Sequence, residues 1–366
     1  MRKKIGIVTL FGYENYGNRL QMYATQQVYK ALGYDSEIIK YKLAAPKDPF
    51  IIRLKVWLHF IFYLRTNLSV SYQKALRIYK FKKHAKIHYN ETRDYINPLA
   101  LENSYHEKYS FLSVGSDQIW GWFIHPIADF AFLKFAPKAK RIAFSPSFGN
   151  STLNQKYREV FTDGLEGFID LSVREKSGAK LIHDLTKKKA TILCDPTMCI
   201  STEEWLKFAA PHKKKPKGKY ILTYFLGEQT QKVLDLLSTL SADFEIVNLN
   251  SFHASKYYAV NPSEWVDYIN DAELFLTDSF HGVVFSLILQ TPFAVYKREG
   301  GESMHTRITH ILARFNMEDR YEIADVSADL FTMNFSEAAK VIEAEKSKVF
   351  TFLNKSLTHA DNSLTS

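Results

Sequence analysis

The feature that most limits how this chain can fold is a repeated alternation. Short apolar runs each end in a polar or glycine-bearing turn, and most lead into a segment of helical period. Residues 5–11 form the first run. A Gly/Asn-rich turn follows, then 20–32 read as a helix stopped by Gly33, and 36–41 as a second strand. Strand, loop, helix, strand is a βαβ unit, so a parallel sheet starts here. Residues 111–114 and 141–145 read as further buried strands, ended by Gly115-Ser116-Asp117 and Pro146-Ser147-Phe148-Gly149. Runs 171–173 and 191–193 stop at Arg174 and at Cys194-Asp195-Pro196-Thr197. In open parallel sheets, loops at the carboxyl ends of strands are where ligands bind.

The pattern pauses at 209–219, where two prolines, a glycine and a lysine run read as an exposed interdomain hinge. It then restarts: strands at 220–225, 245–249, 273–277 and 293–296, with helices at 229–240, 263–270 and 281–289. The expected organisation is α/β, two doubly wound domains facing a cleft. An N-terminal domain spans 1–208 with an insertion at 49–90, and a C-terminal domain spans 220–335. Residues 336–353 read as a terminal helix, with a frayed tail from 356 to 366. A length of 366 residues suits two domains. With 46% hydrophobic and 24% charged residues, a disordered chain is excluded.

Cys194 and Cys199 are too few to staple such a fold, and no Cys/His cluster accompanies them, so no metal site is expected. Sparse cysteine fits a reducing compartment. The first apolar run is too short for a signal peptide and reads as a strand, so the expected location is cytoplasmic.

The net charge of +9 is local. Residues 49–90 contain no Asp or Glu and nine basic residues; removing those from 48 leaves 39, equal to the acids. The same segment is apolar from 50 to 64, but Arg53, Lys55 and Arg65 interrupt it too early for a spanning helix. It reads either as an interfacial element, docking the protein peripherally on an anionic surface at the inner face of the cell membrane, or as a buried helix followed by a solvated basic one. No nucleic-acid-binding motif accompanies it, so nucleic acid is not an expected partner.

Three constellations carry chemistry. The turn from Gly12 to Gln21 holds Asn15, Gly17 and Asn18, which let backbone approach a ligand at a helix start; it matches neither phosphate-loop nor dinucleotide patterns. Thr277-Asp278-Ser279-Phe280-His281-Gly282 opens a helix at a strand end, where a His can trade protons or meet an anion. Arg174 follows an apolar strand, where a guanidinium can bind phosphate or carboxylate bidentately. Two further polar stretches, Gly115-Ser116-Asp117-Gln118 and 301–307 with Arg307, read as loops. The residues alone describe a transferase acting on an anionic substrate in a cleft.

Together, Asn15-Tyr16-Gly17-Asn18-Arg19-Leu20-Gln21, Val114-Gly115-Ser116-Asp117-Gln118-Ile119-Trp120, Ser172-Val173-Arg174-Glu175, Asp195-Pro196-Thr197 and Thr277-Asp278-Ser279-Phe280-His281-Gly282 resemble the polysaccharide pyruvyl transferase family in order and spacing, across roughly residues 5–315. The resemblance implies a glycosyltransferase-B-like fold of two Rossmann-like domains. It implies phosphoenolpyruvate as donor, with no cofactor, and a glycan or polyprenyl-linked oligosaccharide as acceptor, giving a pyruvate ketal and phosphate. Arg174 would hold the donor's anionic groups, and His281 would bind phosphate or act as general acid. Asn15, Gly17, Asn18, Gln21, Ser116, Asp117, Ser279, Gly282 and Arg307 would line the substrate site. Other members carry Arg-Leu-His where this chain has Ser279-Phe280-His281, so one donor-binding cation is missing; either Arg307, Lys297 or Arg298 replaces it, or the donor differs. The alternatives are a nucleotide-sugar glycosyltransferase of the same fold and a non-catalytic scaffold of polysaccharide assembly.

Overall fold

Two parallel four-stranded sheets organise the computed structural model, which describes residues 3–43, 68–250, 256–298 and 302–365. The first takes its strands in the order β2-β1-β3-β4: β2 (Asp35–Ile38), β1 (Lys4–Val8), β3 (Phe111–Val114) and β4 (Arg141–Ala143). Beyond β4 lie the paired strands β5 (Leu171–Val173) and β6 (Ala190–Ile192). Ser172 Oγ joins them to β4 by donating to the Ala143 carbonyl at 2.6 Å and accepting from Ser145 N at 2.9 Å. The second sheet has the order β10-β9-β7-β8: β10 (Phe293–Val295), β9 (Leu274–Thr277), β7 (Tyr220–Tyr224) and β8 (Glu245–Asn248). The doubly wound expectation is met in both halves, whose strand-end loops face a common cleft.

Strand order reverses beside β1 in the first sheet and beside β7 in the second. Ligands bind at such switch points, outside the carboxyl ends of the strands. The loops after β1, β3, β7 and β9 therefore define one region, and it lies between the two sheets.

Helix α1 (Tyr16–Ala31) starts four residues earlier than the apolar pattern suggests. Asn15 is its N-cap, its side chain accepting from Asn18 N at 3.1 Å, so Gly17, Asn18 and Gln21 belong to the first turns of a helix rather than to a loop. Helix α2 (Leu68–His88) carries the later part of the basic segment; residues 49–67 lie outside the described residues. One face of α2 is buried through Arg77, Phe81, His84 and Ala85, a helical spacing that turns one of the basic residues, Arg77, inward. Arg77 donates to the Glu14 carbonyl at 2.9 Å and to Asn250 Oδ1 at 3.2 Å; Lys80 pairs with Glu264 at 3.3 Å. Among the described residues, no helix is long and apolar enough to cross a membrane.

The first half continues through α3 (Ala128–Ala131), α4 (Arg158–Glu166), α5 (Lys176–Thr186) and α6 (Thr202–Phe208). The second half adds α7 (Gln231–Leu240), α8 (Pro262–Asn270), α9 (Phe280–Leu289), α10 (Glu302–Arg314) and α11 (Ser336–Thr365). One continuous core cluster holds side chains from both sheets, including Ile5, Ile7, Leu222 and Phe275. Tyr16 stacks on Trp265 with centroids 5.4 Å apart and donates to the Val260 carbonyl at 3.1 Å. The halves are thus packed, not merely tethered. The 209–219 connector is only partly the solvated hinge expected: Lys213, Lys214 and Lys217 are exposed, but Lys215 pairs with Asp267 and Asp271 at 2.6 Å each. The expected fraying from residue 356 is also not seen. Helix α11 runs to Thr365 because Leu357 and Ala360 are buried and His359 Nδ1 meets Asp170 at 2.9 Å.

Candidate active site

The switch-point loops enclose a cavity of 170 Å³ lined by Asn15, Asn18, Asp117, Ser279, His281 and Arg307 from the expected set, together with Phe280 and Arg298. A smaller cavity of 30 Å³ lies behind it, bordered by Arg174, Glu175, Asp195 and His310. Phe280 and Arg307 border both. Arg174 thus stands one layer back from the larger cavity.

The β3 turn is built for close approach. Gly115 has φ +117°, and a Cβ there would fall 2.1 Å from the Phe144 carbonyl oxygen, so only glycine fits. Asp117 follows with φ 58°. Gln21 and Ser116 support this turn rather than the cavity. Ser116 N donates to Gln21 Oε1 at 3.1 Å, Gln21 Nε2 donates to Thr9 Oγ1 at 2.9 Å, and Ser116 Oγ donates to the Ser145 carbonyl at 2.6 Å. Gly17 instead makes room for a catalytic candidate. A Cβ there would sit 2.1 Å from His281 Nδ1, so the ring packs directly on bare backbone. Ser279 caps α9, its Oγ accepting from Gly282 N at 3.3 Å, which commits the Gly282 amide locally. Gly282 also fits against Thr277, where a Cβ would lie 2.8 Å from Oγ1.

The charged groups form a connected set. Arg174 Nη2 lies 2.7 Å from Asp195 Oδ2 and donates to Ser116 Oγ. His281 Nε2 lies 3.4 Å from the same Asp195 oxygen. Asp117 Oδ1 stands 3.6 Å from Nη1 of both Arg174 and Arg307. Among the described residues, Arg174 Nε and Nη1 have no hydrogen-bond acceptor. Arg298, at the end of β10, sets its Nε 2.8 Å from Asp278 Oδ2, while Asp278 accepts from the Leu226 and Gly227 amides at 2.7 and 2.9 Å. Of the cations considered as replacements at Ser279, Arg298 and Arg307 reach the cavity; Lys297 is exposed and does not line it. Arg307 sits on α10, not on a loop.

Burial raises a carboxyl's pKa, yet Asp195 is held well below the usual carboxylate range, because Arg174 and then His281 outweigh that cost. Glu175 goes the other way. Burial pushes its carboxyl up, although Arg307 and Arg174 oppose this and its Oε1 accepts from Phe148 N at 2.9 Å. Burial likewise lowers Arg307, with Asp117 opposing and the like charge of Arg174 adding to it. Among the described residues, no group of three His, Cys, Asp or Glu could hold a metal ion.

Reading the sequence for single residues missed Asp195, Asp278 and Phe280 as members of the site, and it offered Arg298 only as one of three replacements for the cation absent at Ser279. Asp195 had a usable signal, an acid two residues past a strand end on the sheet edge that also carries Arg174. Nothing in the sequence set Arg298 above Lys297, since only the fold brings β10 beside β9.

Solved structures similar in layout share little sequence. A UDP-N-acetylglucosamine 2-epimerase from Rickettsia bellii has a TM-score of 0.48 at 10% identity, covering 99% of this chain and 98% of that one. The glycosyltransferase SnogD from Streptomyces nogalater has a TM-score of 0.45 at 11% identity, covering 98% and 100%. A UDP-GlcNAc 2-epimerase from Neisseria meningitidis, bound to UDP-GlcNAc, has 0.43 at 12%, covering 94% and 100%. No curated protein matches the sequence. The model for polysaccharide pyruvyl transferases matches residues 15–299, from the cap of α1 to just past Arg298, and on that evidence the chain belongs to the polysaccharide pyruvyl transferase family.

Proposed function

We propose that this transferase takes its pyruvyl group from phosphoenolpyruvate and installs it as a ketal on a sugar of a surface polysaccharide or its lipid-linked precursor. The observation that carries the reading is the convergence of Arg298, Arg307 and His281 on one cavity, with Arg174 behind it. Phosphoenolpyruvate carries a carboxylate and a phosphate, and fixed guanidiniums suit both. The reaction also needs a proton at the donor's methylene carbon. Protonation there makes the adjacent carbon oxocarbenium-like. One sugar hydroxyl attacks it and loses its proton, the phosphate departs with the C–O bonding pair, and the second hydroxyl closes the ring. Of the two hydroxyl protons, one balances the new methyl group and the other leaves on phosphate. His281, its Nε2 oriented by Asp195, serves as general acid or phosphate ligand.

The test is thermal stabilisation by phosphoenolpyruvate and, separately, by UDP- and GDP-sugars. Ligand at 100 times its Kd adds about 2.7 kcal/mol. The expected result is a shift with phosphoenolpyruvate that is lost in Arg307→Ala and Arg174→Ala. A shift with nucleotide sugars alone, or with no ligand at all, overturns the reading in favour of a glycosyltransferase or a scaffold.

The exposed face of α2 supports a lipid-borne acceptor. Tyr72, Tyr79, Lys82, Lys83, Lys86 and Ile87 are exposed there, an aromatic and basic surface of the kind that meets anionic headgroups. Each lysine near such a surface contributes ~1 kcal/mol, so replacing Lys82, Lys83 and Lys86 by Ala weakens binding to phosphatidylserine-containing vesicles roughly a hundredfold. Unchanged vesicle binding removes the membrane from the reading.

A further inference from the structure

One apolar ring touches each of three groups assigned to the donor. Phe280 is the first residue of α9, and its backbone is fixed from both sides. Ser279 N donates to Thr277 Oγ1 at 3.0 Å, and Ser279 Oγ caps Gly282 N. The ring centroid lies 5.3 Å from Arg174 Cζ and 5.5 Å from Arg307 Cζ, and the His281 ring meets it edge-on at 5.3 Å and 89°. Both guanidiniums are within the ~6 Å at which a cation is drawn to an aromatic face. The ring is 6% exposed and forms part of the wall of both cavities.

The carboxylate between the two arginines does not by itself set their positions. Asp117 Oδ1 is 3.6 Å from each Nη1, beyond the distance of a directional hydrogen bond. Arg174 and Arg307 are buried, and like charge pushes them apart. A π face that attracts both, held on the capped start of α9, adds a shared constraint to the contacts Arg174 makes with Asp195 and Ser116, and at the same time packs against the His281 ring.

We propose that Phe280 is a positioning residue for donor binding, holding Arg174, Arg307 and His281 in the arrangement that captures the anion. This rests on the reading of the arginine cluster as the donor site. An aliphatic side chain fills much of the same space but offers no face to a guanidinium, so the aromatic character is what matters.

The experiment compares Phe280→Leu and Phe280→Tyr with the wild-type full chain, after circular dichroism has shown that the variants fold. Phe280→Leu raises the Kd for phosphoenolpyruvate, and the KM in the transfer assay, roughly tenfold, the loss expected for cation–π contacts in a dry site, with a smaller change in kcat. Phe280→Tyr stays within about threefold of wild type because it keeps the π face. Equal losses in both variants, or none in Phe280→Leu, overturn the inference while leaving the donor reading intact. Should wild type itself not bind phosphoenolpyruvate, the donor reading fails, and a ligand-free measurement decides the ring's part. The Nε–Hε resonances of Arg174 and Arg307, assigned with Lys substitutions, are displaced by the ring current and lose that displacement in Phe280→Leu. Resonances that do not move overturn the positioning role.

Discussion

Replacing Asp195 by Asn isolates the electrostatic centre of the site. The side chain is 1% exposed. Its Oδ1 accepts from Thr197 N at 3.0 Å and Thr197 Oγ1 at 2.7 Å, and its Oδ2 faces Arg174 at 2.7 Å and His281 at 3.4 Å. An amide of the same shape either keeps the first pair of contacts and turns a donor toward Arg174, or flips, offering Arg174 a neutral oxygen and losing the bond from Thr197 N. Breaking a buried ion pair by removing one partner costs about 3–5 kcal/mol. Asp117 remains 3.6 Å from Arg174, which places the cost at the lower end. At about 2.1 cal/mol/K of unfolding entropy per residue, 366 residues convert that cost to a fall in Tm of roughly 4–6 °C. The pH dependence has a fixed sign. The folded-state pKa is depressed, so the stabilisation is complete above the ordinary Asp value of ~3.9 and is lost as pH falls below it. Calorimetric unfolding at pH 7, 5 and 3.5 should show a constant gap between wild type and variant at the first two and a smaller one at the third. Equal Tm values at pH 7, or a gap that widens toward acid, would refute the assignment of Asp195 as a paired, ionised carboxylate.

Glu175 should show the opposite sign. Its pKa is raised by burial, so its favourable contribution is present in acid and lost as pH rises through the carboxylate range; Glu175→Gln should match wild type at pH 4 and exceed it in Tm at pH 8. Gly17→Ala should lower kcat at least tenfold by displacing His281, with far-UV circular dichroism unchanged because alanine is the better helix former; unaltered turnover counts against the packing of His281 on α1. Arg77→Ala removes hydrogen bonds to Glu14 and Asn250 and cation–π contacts at 4.6 Å to both Tyr16 and Tyr258, and should cost about 2–4 kcal/mol with faster limited proteolysis. A variant as stable and as resistant as wild type would show that α2 does not help join the two halves.

The fold was legible wherever apolar runs were short and sharply ended. Residues 111–114 and 171–173 coincide with β3 and β5 because a strand buried on both faces is nearly all apolar, and the one serine in each, Ser113 and Ser172, is small and hydrogen-bonded to Tyr29 and to the Ala143 carbonyl. Helix starts were less legible. The first turn of α1 contains Tyr16, Gly17 and Asn18, which look like a loop in sequence, and only the Asn15 cap and burial against the second half make them helical. The helix that carries Arg307 was hidden for a related reason, since the polar stretch before that residue carries no helical periodicity of its own. In the basic segment, charge was a poor guide to exposure. Arg77 looks like one more surface cation, yet it is 3% exposed, because Tyr16 and Tyr258 offer it faces and Glu14 and Asn250 offer it oxygens.

The site itself joins three arginines to three aspartates, Arg174, Arg298 and Arg307 with Asp117, Asp195 and Asp278, so it does not attract an anion by excess charge alone. What differs between the two sets is how they are held. Asp195 is tied to the Thr197 amide, and Asp278 to the amides of Leu226 and Gly227, so neither can move without unmaking a turn. The guanidiniums sit at the ends of long side chains, and Arg174 still has donors without acceptors among the described residues. On the proposed donor reading, an entering carboxylate or phosphate meets guanidiniums on long side chains and two carboxylates, Asp195 and Asp278, that cannot follow. The aspartates hold the arginines apart and in place until then, which spares each guanidinium the cost of lying buried without a counter-charge. On the proposed donor reading, selectivity for an anion follows from this difference in tethering, with each aspartate on a turn and each arginine on the strand end or helix opposite.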